Sequence, residues 1–364
     1  MRVVFAGGGT GGHLYPALAL ARYIREQEEE AEIIFLGTEL GLESRIVPRE
    51  GFRFKTLPVR RPVRRVSRAM VGSLAALAAG TREAFKFLRW FSPHVVVGTG
   101  GYVSVPAAAS ALLLRIPVVL HEQNVIPGLV NRQLSPWVRL TCLSFPESRR
   151  HFPSRAKLKV TGSPRASEAA APVISDGDYL DLGLIPGRKT ILMAGGSQGA
   201  LNLNRMALKA IGLLQGRRDL QVLYITGRRY YEEMAAGTGS LGPEPLLKMV
   251  PYLENMPVGL GVADIIISRA GATTLAEVNA RGVPAILVPS PNVTDDHQMA
   301  NARVQEKQGA ALVYREADLK PEELAEALLS ILDNPDRLSA MKEASLGLGY
   351  PQAAPHMYEI LKSL

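Results

Sequence analysis

His13 stands at the end of a glycine run, Gly7-Gly8-Gly9-Thr10-Gly11-Gly12, that follows the short apolar strand Val3-Val4-Phe5-Ala6. The same histidine opens an amphipathic helix in which Leu14, Ala17, Leu18, Ala21 and Ile24 recur at helical spacing. A strand, a glycine turn and a helix N-terminus together make an anion site: backbone N–H groups point outward, glycine admits a close ligand, and the helix dipole favours negative charge. An imidazole at the mouth of such a site is a candidate base, its proton affinity lowered by the helix N-terminus. Gly7, Gly9 and Gly12 also satisfy the dinucleotide pattern G-x-G-x-x-G. That reading expects an acid after the second strand to hold a ribose, and Leu36-Gly37-Thr38 stands there instead.

A second strand-turn-helix passage runs from Asp264 through Ser268 and Gly271 to Glu277. Thr273 and Thr274 are candidate helix caps and phosphate ligands. Glu277, one turn further on, has two readings: a carboxylate accepting both hydroxyls of a ribose, or the partner of Thr274 in a capping box. Asp295-Asp296, ahead of His297-Gln298, read as a helix cap rather than a metal pair. Asp176-Gly177-Asp178 matches the D-x-D of many sugar transferases, but it lies in a presumed linker and reads as a turn. Neither a metal nor a cofactor is therefore expected.

The elements that must carry these residues alternate. Apolar strand runs at residues 3–6, 32–36, 52–57, 94–97 and 117–120 are separated by helical stretches, one of them from about Ala69 to Phe91. The pattern restarts at Lys189–Ala194, which enters Gly195-Gly196-Ser197-Gln198-Gly199 much as the first strand enters its own glycines. Such alternation implies parallel strands with crossover helices. The expected architecture is α/β: two doubly wound domains facing each other across a cleft, with ligands at the carboxyl ends of the strands. The expected bounds are 1–168, a Pro-, Gly- and Asp-rich linker at 169–188, and 189–346, with a last helix at 352–364 returning to the first domain.

Composition narrows the class. Hydrophobic residues at 47% against 21% charged suit a globular protein, and 364 residues suit two domains. The single cysteine, Cys142, excludes an internal disulfide framework. No leader and no bilayer-length apolar run is evident, so a cytoplasmic setting is expected. The net charge of +8 points to a polyanionic partner. A nucleic acid is disfavoured, because aromatic interleaving and binding motifs are missing. Arg60, Arg61, Arg64, Arg65 and Arg68 instead precede a helix bearing Met70, Leu74, Phe85, Leu88 and Trp90, the composition of an element that docks on an anionic membrane surface.

Gly8-Gly9-Thr10-Gly11-Gly12-His13, Gly100-Gly101-Tyr102, His121-Glu122-Gln123-Asn124, Gly195-Gly196-Ser197-Gln198-Gly199 and Arg269-x-Gly271-Ala272 occur in that order. In these motifs the whole chain resembles the MurG family of bacterial transferases. The resemblance implies a GT-B fold and an inverting, metal-independent transfer of N-acetylglucosamine from UDP-N-acetylglucosamine to undecaprenyl-diphosphate-linked muramyl-pentapeptide, by a peripheral protein at the cytoplasmic face of the membrane. It implies that Thr10, Gly11 and Gly12 lie near the donor diphosphate and sugar, with Asn124 on the sugar. Ser197 and Ala272, Thr273 and Thr274 would bind phosphate, Leu253 the uracil through its backbone, Glu277 the ribose and Gln298 the sugar. Gly100, Gly101 and Tyr102 would face the acceptor diphosphate. His13 is the first candidate base and Glu122 the second. Two positions depart from the family pattern: Ser163 replaces an Asn beside the phosphate candidate Arg165, and Ala270 replaces a common Ser. Other two-domain UDP-sugar enzymes, a galactolipid synthase or a sugar epimerase, differ from this reading only in the acceptor.

Overall fold

The computed structural model describes residues 1–59, 68–196, 199–240 and 242–364. Arg60, Arg61, Arg64 and Arg65 lie outside the described residues, as does Ser197. The chain divides into two compact units, one of Met1–Arg165 with Gln352–Leu364, the other of Ala166–Pro351.

In the first unit β1 (Arg2–Gly7), α1 (Gly11–Gln27), β2 (Glu32–Gly37), α2 (Glu43–Arg49), β3 (Arg53–Thr56) and α3 (Arg68–Phe91) are followed by β4 (Val95–Gly100) and α4 (Ser104–Leu113). Then come β5 (Val118–Glu122), α5 (Leu129–Leu134), β6 (Leu140–Leu143) and β7 (Leu158–Val160). The chain leaves through α6 (Pro164–Ala170) into α7 (Asp176–Asp181), β8 (Lys189–Ala194), α8 (Leu201–Gly212), β9 (Leu220–Ile225), α9 (Tyr231–Ala236) and β10 (Leu246–Val250). The second unit continues with α10 (Met256–Gly261), β11 (Ile265–Ser268), α11 (Ala272–Arg281), β12 (Ala285–Leu287), α12 (His297–Lys307), β13 (Ala311–Val313), α13 (Pro321–Leu332) and α14 (Pro335–Gly347). α15 (Ala353–Lys362) belongs to the first unit.

Among the described residues each unit has one parallel sheet, in the order β3-β2-β1-β4-β5-β6-β7 and β10-β9-β8-β11-β12-β13 respectively. Both are doubly wound. The order reverses between β1 and β4 and between β8 and β11, and a ligand crevice forms where crossover helices diverge to opposite faces. All four glycine-bearing turns singled out from the sequence follow these four strands.

The central strands are apolar through most of their length because a parallel sheet is covered on both faces, whereas the edge strands β3, β7 and β10 carry exposed charged residues. In β1, Val3 and Phe5 pack with Leu14, Leu18 and Ile24 of α1 and with Met357 and Leu361 of α15. Val4 and Ala6 pack on the other side with Leu88 of α3 and Ala107, Ala108 and Ala111 of α4. α15 is tied to α1 by an edge-on contact between Tyr23 and Tyr358 and by the Tyr358 hydroxyl, which donates to Glu28 Oε1 at 2.9 Å. Glu28 also receives the terminal amine of Met1 at 2.7 Å.

Asp176-Gly177-Asp178 does not form the expected turn. It is the first turn of α7, where Asp178 accepts from both the backbone N–H and the hydroxyl of Ser175 at 2.8 Å. Those hydrogen bonds hold its carboxyl below the usual carboxylate range. Residues 169–188 fall inside the second unit.

Because Leu361 is buried at 3% exposure in the α1/α15 contact, Leu361→Ala is expected to destabilise the first unit by about 2–5 kcal/mol. Urea unfolding of the full chain checks this, and an unchanged midpoint would show that α15 contributes nothing to that core.

Candidate active site

β1 and β4 are adjacent, so the turns after them abut. Gly101, with φ of +78°, lies so close to the first turn that a Cβ there would come 3.0 Å from the Gly8 carbonyl oxygen. The same Cβ would meet His13 Nδ1 at 3.4 Å. His13 thus sits against both turns, half-buried, in the first turn of α1. Its Nδ1 lies 3.2 Å from the Gly8 carbonyl oxygen and 3.2 Å from Thr10 Oγ1. A carbonyl only accepts, so the bond to Gly8 requires the proton on Nδ1 and makes Nε2 the basic nitrogen. Thr10 and Gly12 are exposed, and Gly11 is half-buried.

The first glycine turn does not present all its N–H groups outward. The N–H of Gly9 turns inward and donates to Glu43 Oε2 at 3.0 Å. The other oxygen of that carboxylate accepts from the Thr38 N–H at 3.0 Å and the Thr38 hydroxyl at 2.8 Å. Glu43 is 1% exposed. The β1–β2 pairing sets the turn at residues 38–42 beside the first glycines, and α2 begins at Glu43 itself. A Cβ at Gly8, Gly37 or Gly41 would fall within 2.4, 2.5 or 2.1 Å of the Glu43 side chain. Sequence reasoning missed this residue. The available signal was the spacing Gly37-Thr38-x-x-Gly41-x-Glu43 directly after a strand.

At the end of β5 the second candidate base, Glu122, is buried and engaged. It accepts from the N–H of Asn124 and of Gly128, each at 3.0 Å, and from Asn131 Nδ2 at 2.9 Å. Burial pushes its pKa upward against the pull of those bonds. In this arrangement the carboxylate braces residues 123–128, carrying Asn124, which is half-buried. Asn131 Nδ2 also donates to the His121 carbonyl at 3.0 Å. His121 itself is buried, with Nε2 at 3.2 Å from both the Gly162 carbonyl and the Ser144 hydroxyl. Ser163 is buried at 2% exposure, and the half-buried Arg165 lies over the ring of Tyr15, 6.0 Å from its centroid. Tyr102 is half-buried, its ring 3.9 Å from where a Cβ on Gly9 would stand.

In the second unit α11 starts at Ala272 with Gly271 as its N-cap, and no side chain caps it. Thr273 and Thr274 are therefore inside the first turn, which removes the capping box with Glu277. Glu277 is 6% exposed. The Thr273 hydroxyl oxygen is buried and has no hydrogen-bond partner among the described residues. Arg269 does not face outward. It pairs with Glu316 at 2.7 Å and donates to the carbonyls of Val288 and Pro289 at 3.0 and 3.3 Å. Ala270 is fully buried, so the missing hydroxyl concerns the core rather than the outer face of the turn. Gln298 accepts from the Ser290 N–H at 2.9 Å, and Leu253 is half-buried against Gly259. Asp295 and Asp296 are exposed with φ of 55° and 48°, and the Asp296 side chain makes no capping bond to α12. Among the described residues no group of three His, Cys, Asp or Glu has the geometry of a metal site.

The N-terminal domain model of glycosyltransferase family 28 matches residues 3–142, and the C-terminal domain model of that family matches residues 190–357. The chain is 42% identical over 365 residues to the Bacillus licheniformis UDP-N-acetylglucosamine--N-acetylmuramyl-(pentapeptide) pyrophosphoryl-undecaprenol N-acetylglucosamine transferase, covering 100% of this chain and 99% of that protein. The Bacillus subtilis protein of the same name is 41% identical with the same coverage. Among solved structures, Acinetobacter baumannii MurG superposes with a TM-score of 0.81 at 30% identity, over 100% of this chain and 99% of that one. The chain belongs to glycosyltransferase family 28 and, within it, to the MurG family. A UDP-GlcNAc 2-epimerase from Neisseria meningitidis, at 15% identity and a TM-score of 0.69, shares the fold alone.

His121 yields a pH test of the first unit. Burial, above all, lowers its pKa from 6.5 to about 4, the charge of His13 adding to the effect against the Gly162 carbonyl. As pH falls from 6.5 to 4 the unfolded chain takes up a proton that the folded chain refuses, so stability present at neutral pH is lost across that window, by about 3 kcal/mol. Urea unfolding at pH 7 and pH 4 is expected to show that loss in wild type and a correspondingly smaller one in His121→Gln. Equal losses in the two proteins would contradict the assignment.

Proposed function

We propose that this protein transfers N-acetylglucosamine from UDP-N-acetylglucosamine to the muramyl 4-hydroxyl of undecaprenyl-diphosphate-linked muramyl-pentapeptide, with inversion at the anomeric carbon. The observation that carries the mechanism is the placement of His13: its Nδ1 lies 3.2 Å from the Gly8 carbonyl, which can only accept, so that Nδ1 carries the proton and Nε2, beside Gly100, is left as the base. Nε2 takes the proton from the acceptor hydroxyl as its oxygen attacks the anomeric carbon. The bond from that carbon to the diphosphate oxygen breaks on the opposite side, and UDP leaves as the anion. The first unit supplies Thr10, Gly11, Gly12, Asn124 and Arg165 to the donor's sugar and diphosphate, and Gly100, Gly101 and Tyr102 to the acceptor. Glu122 supports Asn124 and stands second to His13 as base. In the second unit the α11 N-terminus at Ala272, Thr273 and Thr274 receives diphosphate, Glu277 the ribose, Gln298 the sugar and the Leu253 backbone the uracil. Ser197, outside the described residues, is assigned to phosphate.

The acceptor's lipid stays in a bilayer, which calls for a docking face at the inner, cytoplasmic leaflet. α3 supplies one. Trp90 and Leu74 are 76% and 58% exposed, with Arg82, Lys86 and Arg89 exposed on the same helix. Leu88, by contrast, is buried in the core and takes no part in that face. No described helix is long and apolar enough to cross a membrane.

With labelled donor and lipid acceptor, His13→Ala is expected to lower kcat by about two to four orders of magnitude while UDP affinity by calorimetry stays within about twofold. Near-normal turnover would remove His13 from the base role. In co-sedimentation with anionic vesicles, neutralising Arg82, Lys86 and Arg89 to Gln is expected to weaken binding about 100-fold, at roughly 1 kcal/mol per cation. Binding that ignores both the substitutions and added salt would reject α3 as the docking face.

A further inference from the structure

The Gly8 carbonyl that receives His13 and the Gly9 N–H that reaches Glu43 belong to one peptide group. In a trans peptide these two dipoles point in opposite directions. The plane is therefore held from both ends: Glu43 Oε2 on the N–H at 3.0 Å, His13 Nδ1 on the carbonyl at 3.2 Å. Glycine on either side of this plane leaves it otherwise able to turn over at small cost. A carboxylate accepting the N–H also polarises the group, making its carbonyl a stronger acceptor for the imidazole N–H.

We propose that Glu43 is a positioning residue for the transfer, acting on His13 through the Gly8–Gly9 peptide. It fixes the ring's Nδ1–H tautomer and supports the basicity of Nε2. The inference rests on the reading of His13 as the base. Glutamate is specifically required. Its two oxygens accept three hydrogen bonds, from Thr38 N–H, the Thr38 hydroxyl and Gly9 N–H, and it donates none. The amide of a glutamine would keep its oxygen toward the two Thr38 donors and turn its NH₂ against the Gly9 N–H. The Gly8–Gly9 plane would then lose its anchor while the side chain kept its volume.

The test uses the full chain and Glu43→Gln. Nitrogen NMR of the His13 ring, without substrate, is expected to change from a single Nδ1–H tautomer in wild type to a mixture. In the transfer assay kcat is expected to fall about 100-fold, as for a slightly misplaced catalytic group, with the donor KM within about twofold. Ser110→Ala, which removes the 2.9 Å bond from the buried Ser110 to the Thr81 carbonyl, is the stability control and is expected to leave tautomer and kcat unchanged. If Glu43→Gln does not fold, Glu43→Asp, a methylene too short to reach Gly9, is expected to show the same tautomer mixture. A wild-type tautomer in whichever variant folds overturns the proposal, whatever becomes of His13→Ala. A mixed tautomer with unchanged kcat overturns the positioning role, and His13→Ala then reports separately whether the ring is the base.

Discussion

A carboxylate removed from water must be given donors or it destabilises the fold, and Glu43 is given three. That requirement shapes the site around it. Room for the carboxylate excludes a Cβ at Gly8, Gly37 and Gly41, and its demand for an N–H turns the Gly8–Gly9 peptide so that its carbonyl faces His13. Gly101 must also lack a side chain, because the next turn closes on that carbonyl. His13 is thus one end of a chain of hydrogen bonds that begins in the interior.

The topology decides which turns can take part in such a chain. β1 lies between β2 and β4, so the turns after all three strands meet at one edge of the first sheet. Glu43 comes from the turn after β2, His13 from that after β1 and Gly101 from that after β4. The second unit uses the same strand pattern with a different brace. There the Arg269–Glu316 pair, with the Val288 and Pro289 carbonyls, fixes the turn after β11 to the segments that follow β12 and β13. In both units a charged group braces the backbone of a turn: the buried Glu43 in the first, the half-buried Arg269–Glu316 pair in the second.

The α/β fold with two parallel sheets was legible because central strands covered on both faces read as apolar runs, and glycines close β1, β4 and β8. The short helices α2, α5 and α9 were not, since six or seven residues leave too few turns for periodicity to register. His13 stood out by type and place. Glu43 did not, because its meaning depends on three hydrogen bonds that exist only once β1 and β2 pair. Local rules misassigned Asp296, which has a left-handed backbone and makes no capping bond, and Thr274, which lies inside the first turn of a helix that Gly271 caps. The outward-facing N–H expected of Gly9 failed for the same reason as Glu43: the partner lay in another loop.

A single displacement aided by one base has a stereochemical signature. The donor carries its sugar in the α configuration, so transfer by the wild-type chain to the muramyl lipid must give a β-linked disaccharide, read from the anomeric proton coupling of the product. A β linkage, with UDP released in equal amount, is the expected result. An α linkage, or release of UDP with no disaccharide formed, would contradict inverting transfer.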